Sequence, residues 1–350
     1  MSKELFINKK IWNEFSEQEM INYIDCVFNY YRKQGFPYFD NSVKNRDNEF
    51  NKLKKYDFTK VIDKENKIIK QTMHGLSLAW SYMPHSWGIV CGNMKTPYEI
   101  FNNDELLKKV IERRIKMGDN MSDNGLRKML KIFTGTQSVS NFRPTAAAAI
   151  YHLFCQENDL VWDISSGFGG RLLGAEIANV NYIGTDPSTP TFEGLLEIKK
   201  EYIKSIKSEI YCIGSEDFIP QKGTIDFVFS SPPYFNWEKY TNEDTQSFKK
   251  FPTKEEWLEG YLLKTFENCF IGLKDNGKMA INIANTKNFK DLEDKTIIMA
   301  NKAGFFLSDT WKLALSNPKM KNKESSFKYE PIFIFTKKRT LNDRQNITTE

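Results

Sequence analysis

From Asn141 onward, short apolar runs alternate with segments of helical period, and no other feature constrains the fold as strongly. The runs are Asp159–Ser165, Asn181–Asp186, Glu209–Gly214, Ile225–Ser231, Gly277–Asn285, Phe305–Leu315 and Glu330–Lys338. Between most of them lie helix-period segments at Arg171–Asn179, Pro190–Ile206, Lys254–Phe270 and Leu292–Lys302. Apolar strands bounded by turn residues and separated by helices predict βαβ crossovers, hence an α/β fold on a mostly parallel sheet. The last two runs are joined by a polar stretch without a helix, which predicts an antiparallel pair.

The chain before this pattern has another texture. It reads as helices and irregular aromatic segments: a helix near Glu17–Lys33, a polar basic stretch to Lys70, the aromatic patch His74–Trp87, and a basic helical stretch from Pro97 to Thr134. The polar segment Gly135–Asn141 is the best boundary. The expected organisation is a mainly helical, basic region over 1–135, an α/β domain over 136–340 and a polar tail over 341–350. Charge follows the same division. Residues 1–140 hold 23 basic and 17 acidic side chains, and residues 141–350 hold 27 and 28, within a total of +5. The densest basic stretch contains Lys108, Lys109, Arg113, Arg114, Arg127 and Lys128, the candidates for contact with a polyanion.

Composition excludes several classes. With 40% hydrophobic residues, 350 residues carry enough apolar material for a core, so a disordered or collagen-like chain is ruled out. No apolar run approaches the ~20 residues of a membrane helix, and the first residues lack a signal-peptide core. The 5 cysteines are scattered without a CxxC pair, which fits a reducing compartment and predicts a cytoplasmic protein. His74, His85 and Cys91 match no metal-ligand spacing, so no metal is expected.

Chemistry concentrates at the strand ends. Asp163-Ile-Ser-Ser-Gly-Phe-Gly-Gly-Arg171 ends a strand on an acid and opens a helix through a glycine turn. Gly167, Gly169 and Gly170 allow close approach of a ligand to the backbone, with Ser165 alongside. A carboxylate at Asp163 disfavours a pyrophosphate and suits an amine and a sulfonium, as in S-adenosylmethionine. Asp186 closes the next strand, where an acid accepts hydrogen bonds from ribose hydroxyls. Asp217, with Glu216 as competitor, follows the third strand, positioned for an adenine amino group, with Phe218 available to pack on the ring. After the fourth strand stands Ser231-Pro232-Pro233-Tyr234. The prolines fix the backbone so that a carbonyl and the preceding side chain point the same way. Methylation of an exocyclic amino group needs that geometry, because accepting both amino hydrogens localises a lone pair otherwise delocalised into the ring. Tyr234 can stack on the base.

In these motifs and their order, Asn141 to Lys338 resembles the amino-group DNA methyltransferases, which act on N6 of adenine or N4 of cytosine. Asn141-Phe-Arg143-Pro144-Thr145 is similar to the motif that closes over the methionine end of the cofactor. Asp163–Gly170, Asp186 and Glu216-Asp217-Phe218 are similar to the three cofactor motifs that follow, and Ser231–Tyr234 to the catalytic tetrapeptide. The resemblance implies a Rossmann-like class I methyltransferase fold, with a seven-stranded, mostly parallel sheet and a terminal antiparallel hairpin. It also implies S-adenosyl-L-methionine as cofactor, and double-stranded DNA with a flipped target base as partner. A leading serine is more usual in N4-cytosine enzymes, and both bases stay open. Ile164 stands where relatives commonly have proline. No separate recognition domain follows the catalytic motif, which leaves residues 1–135 for that role. Structured RNA or protein glutamine are the alternative substrates, and a silent nucleic-acid-binding or adenosylmethionine-sensing module is the alternative of another class.

Overall fold

The computed structural model describes residues 14–117, 120–315 and 328–337; the tail expected over 341–350 lies outside them. Among the described residues the strands are β1 (Ile62–Asp63), β2 (Ile68–Ile69), β3 (Val90–Cys91), β4 (Leu160–Asp163), β5 (Asn181–Thr185), β6 (Ser208–Tyr211), β7 (Ile225–Ser230), β8 (Glu238–Lys239), β9 (Leu273–Asn282), β10 (Phe305–Ala314) and β11 (Tyr329–Lys337). None of the described helices is long and apolar enough to cross a membrane.

The chain divides into two compact units: residues 1–40, 84–140 and 238–240, and residues 41–83, 141–237 and 241–350. This differs from the expected break at 135/136, because residues 41–83 fold with the sheet. The first unit is mainly helical. Its helix Glu17–Gln34 starts on a capping box between Ser16 and Glu19 and ends at Gly35, whose φ of 84° releases the chain. Helices Asp104–Lys116 and Asp123–Ile132 bury Leu107, Val110, Ile111, Leu126 and Met129 around Trp87, Phe101 and Tyr31. β3 and β8 pair antiparallel in this unit.

The second unit is built on a nine-stranded sheet in the order β1-β2-β10-β11-β9-β7-β4-β5-β6. The pairs among β4, β5, β6, β7 and β9 are parallel, whereas β11 runs antiparallel to both β9 and β10. Numbered in chain order, the seven strands expected from the sequence lie 3-2-1-4-5-7-6. This is the Rossmann-like class I methyltransferase arrangement, with the expected terminal hairpin. β7 is buried over nearly its whole length, which is why Ile225–Ser230 reads as a continuous apolar run. Its outward neighbours contribute Met279, Ile281, Phe333 and Phe335 to the main core. Residues 41–83 extend the sheet by pairing β2 in parallel with β10. They also hold helix Thr189–Tyr202, with Tyr202 donating to Asp47 at 2.9 Å.

Candidate active site

The strand order reverses between β4 and β7. β5 and β6 succeed β4 on one side, and β7 and β9 lie on the other. Open α/β sheets bind ligands at the carboxyl ends of the strands flanking such a switch point. Here those ends carry the glycine turn after β4 and the Ser-Pro-Pro-Tyr segment after β7. They are joined directly, since Ser230 Oγ donates to Asp163 Oδ1 at 2.7 Å.

The glycines of the turn divide their work. A Cβ on Gly167, at φ +56°, would meet nothing closer than 3.7 Å, so this backbone is open to a ligand. A Cβ on Gly169 would lie 2.5 Å from Ile198 Cδ1, and one on Gly170 would lie 1.8 Å from the Phe142 carbonyl oxygen. Those two positions serve helix packing. Asn141 Nδ2 donates to the Phe168 carbonyl at 2.9 Å, which fastens the Asn141–Thr145 segment to the turn.

Asp163 departs from the sequence expectation. It is fully buried, and Arg171 Nε and the Tyr182 hydroxyl donate to Oδ2 at 2.8 and 2.7 Å, while Ser230 occupies Oδ1. The Arg171 guanidinium also bonds the Ser165 carbonyl. Asp163 therefore organises the turn, with its charge matched inside the protein, and offers no free carboxylate to an amine. Its neighbour Ser165 donates to the Ile164 carbonyl and meets the Tyr261 hydroxyl at 3.2 Å. Tyr261 comes from a π-helical turn, Trp257–Leu263, a local widening common at functional sites.

The next two acids fit an adenosyl group. Asp186 accepts N–H groups from Gly167 at 2.9 Å and Ser188 at 3.0 Å, and burial still pushes its carboxyl up to about 6. Such a carboxylate gains from further donors, which ribose hydroxyls supply. Glu216 is buried too, with its carboxyl raised by burial, and its Oε2 has no hydrogen-bond partner within the protein. An orphaned buried acceptor suits the adenine amino group better than Asp217, whose carboxylate is ion-paired with Lys250 at 2.5 Å. Lys250 also reaches Glu216 Oε1 at 2.6 Å. Phe218 lies between Trp162 and Tyr211, at 5.1 and 5.0 Å between ring centres.

Arg143 precedes helix Pro144–Phe154, and burial depresses its guanidinium pKa. Pro144 and Thr145 form the first turn of that helix. Thr145 is fully buried and its hydroxyl is hydrogen-bonded to that of Thr72 at 2.9 Å. Ser231, Pro233 and Tyr234 are half-buried, and Pro232 is buried. Phe235 turns the chain at φ 57° and is held in that left-handed conformation by ring contacts with Trp257 and Phe289.

The basic candidates separate into two groups. Arg114 is buried, with Nε and Nη2 on the Asn120 carbonyl at 3.2 and 3.1 Å. Arg127 bonds the Pro37 and Tyr38 carbonyls and lies over the Phe39 ring. Both are structural, which corrects their assignment as polyanion contacts. Lys108, Lys109, Arg113 and Lys128 are exposed, and the first two are paired with Asp25 and Glu105. Trp80 and Trp87 are core residues. The sequence reading missed Arg171, Tyr182, Tyr261 and Lys250. Of these, Arg171 alone sits inside a recognised motif.

Comparison with known proteins adds the following. Residues 225–349 match the family model of N6/N4 methyltransferases described as DNA methylase. No curated protein matches. Solved structures that match include a methyltransferase from Pyrococcus furiosus, with 16% identity over 64% of this chain and 96% of that one and a TM-score of 0.39. Another is an O-methyltransferase from Thermotoga maritima, with 14% identity over 58% and 68% and a TM-score of 0.38. A third is a TehB-like methyltransferase from Corynebacterium glutamicum, with 13% identity over 57% and 90% and a TM-score of 0.37. The sheet topology is that of the class I methyltransferase fold, whose members take S-adenosylmethionine as cofactor. Within that class, the match over 225–349 supports the amino-methyltransferase family.

Proposed function

We propose that the protein methylates the exocyclic amino group of a base in DNA, N4 of cytosine or N6 of adenine, after the nucleotide has been flipped out of the duplex. The observation that carries this reading is the position of Ser231-Pro232-Pro233-Tyr234. The segment leaves β7 at the switch point, beside the glycine turn, and is tied to it through Ser230 and Asp163. Asp186 holds the ribose and Glu216 the adenine amino group. Gly167 admits the ligand's backbone contacts, and Arg143 borders the methionine end.

S-adenosylmethionine, when bound, supplies a methyl group on a sulfonium sulfur. Ser231 Oγ and the Pro232 carbonyl accept the two amino hydrogens of the base, so the nitrogen lone pair turns toward that methyl. Tyr234 stacks on the base and keeps its plane aligned. Orientation of the two reactants accounts for much of the acceleration. Exposed lysines and Arg113 supply phosphate contacts, which make DNA affinity fall as salt rises.

The test offers DNA, RNA and protein in parallel to the enzyme with labelled cofactor. Label is expected in DNA and lost in Ser231→Ala and Tyr234→Ala. Label in RNA or protein alone, or full transfer by either variant, would overturn the reading. Single-molecule sequencing of DNA from expressing cells then identifies the base.

A further inference from the structure

Glu330 stands at the start of β11, the antiparallel strand. Because β11 runs against its neighbours, its first residues reach the sheet edge where β7 and β9 end. Ile332 pairs with Asn282, the last residue of β9, so Glu330 lies beyond the end of that ladder. Alternation along the strand puts Glu330 on the same face as Ile332, and therefore as Asn282. On β7, Phe229 pairs with Ala280 and shares that face. Glu330 is thus a carboxylate delivered to the catalytic edge by topology.

Its surroundings give it a partner there. The Tyr234 hydroxyl donates to Glu330 Oε2 at 3.4 Å, and the Asn282 side-chain amide, which also donates to the Pro331 carbonyl at 3.0 Å, hydrogen-bonds the carboxylate. Burial raises the Glu330 carboxyl and the nearby Glu293 adds to this, whereas the bonds from Tyr234 and Asn282 oppose it. An apolar side chain at this position would avoid the cost of burying a carboxylate.

We propose that Glu330 is a positioning residue that acts through Tyr234, fixing the plane of the phenol ring on which the target base stacks and keeping that ring electron-rich. The role rests on the amino-methyltransferase reading. As the amino nitrogen bonds to the methyl group, positive charge develops on the base, and a ring face whose hydroxyl is held by a carboxylate favours that charge. Tyr234 then contributes more in the transition state than in the ground state, so removal of Glu330 acts on kcat rather than on KM.

The experiment compares wild type, Glu330→Ala, Glu330→Gln, Tyr234→Phe and the Tyr234→Phe/Glu330→Ala double variant. Methyl transfer is followed on whichever polymer the wild type labels, and S-adenosylhomocysteine binding checks that each variant is folded. Glu330→Ala is expected to lose about tenfold in kcat, the scale of one hydrogen bond to a charged acceptor. KM for the cofactor should stay unchanged. Glu330→Gln keeps an acceptor oxygen but not the charge and should fall between the wild type and Glu330→Ala, and in the Tyr234→Phe background Glu330→Ala should cost nothing further. Independent, multiplying losses, or a glutamine variant as impaired as the alanine one, would overturn the proposal. A wild type that labels no polymer defeats the amino-transfer reading itself, and the role of Glu330 with it. That outcome is distinct from any difference among variants.

Discussion

At the scale of single residues, two acids of one crevice are treated oppositely. Asp163 is surrounded by donors and matched by Arg171, both side chains being almost wholly removed from solvent. Removing one partner of such a pair leaves an uncompensated buried charge. Arg171→Met is therefore expected to destabilise the fold by about 3–5 kcal/mol in urea unfolding, far more than replacement of an exposed arginine. Asp186 instead carries a carboxyl that burial pushes up to about 6, opposed by the Ser188 and Gly167 N–H groups. Because the folded value lies above the ordinary one, the native state holds this proton more tightly than the unfolded chain does. The resulting stability is complete below about pH 4 and lost as pH rises through about 6. Ribose hydroxyls favour the ionised form, so they shift the balance back. Affinity for S-adenosylhomocysteine should therefore rise between about pH 5 and pH 7, and titration calorimetry on Asp186→Asn should find that rise gone. A wild-type affinity flat over this range would remove Asp186 from the ribose site.

At the scale of elements, the glycine turn depends on how closely helix Gly170–Ala178 crosses helix Pro144–Phe154. A Cβ on Gly174 would lie 2.6 Å from Ala147 Cβ and 2.9 Å from the Pro144 carbonyl oxygen, and one on Gly170 would overlap the Phe142 carbonyl. Gly170→Ala should thus cost about 1–3 kcal/mol in thermal or chemical denaturation, and should weaken cofactor binding by displacing the turn. Gly88→Ala, where nothing lies within 4 Å, is the neutral control. Much of the sheet was legible in the sequence. Six of the seven strands it predicts coincide with observed ones to within a few residues, because each pairs an apolar run with turn residues. The remaining one, β9, begins four residues earlier than expected, beside a register shift against β7. Helix Pro144–Phe154 was not foreseen. Ala146 to Tyr151 are buried without interruption, so the segment shows no amphipathic period. β1 and β2 are two residues each, too short to carry a pattern.

At the scale of the molecule, the fold redistributes the charge that the sequence assigned to residues 1–140. Lys44 to Lys70 holds 9 basic side chains, and residues 41–83 hold 5 acidic ones, yet this segment belongs to the unit with the sheet. Counted by unit, residues 1–40, 84–140 and 238–240 contain 15 basic and 13 acidic side chains, so most of the positive excess lies elsewhere. Linear charge counting missed this because it follows chain order, whereas β2 joins β10 across more than half the chain. The catalytic motifs were legible for the opposite reason: each is a local strand-end signature. What they do to one another, such as Arg171 silencing Asp163 or Glu330 reaching Tyr234, depends on pairings that no local pattern encodes. The charge distribution leads to a prediction. Lys44, Lys54, Lys55 and Lys64 are exposed and have no ion-pair partner among the described residues, whereas Lys108 and Lys109 are neutralised by Asp25 and Glu105. Phosphates that meet uncompensated lysines release more counterions, with a slope near −0.9 per contact in log–log salt titrations. A Lys54→Glu/Lys55→Glu/Lys64→Glu variant should therefore bind duplex DNA more weakly, and with a shallower salt slope, than a Lys108→Glu/Lys109→Glu variant. Fluorescence anisotropy at several salt concentrations measures both quantities. A slope shallower in the Lys108→Glu/Lys109→Glu variant would instead return the polyanion contacts to the basic stretch Leu106–Lys131, and S-adenosylhomocysteine affinity, which phosphate contacts do not touch, should be the same in all three proteins.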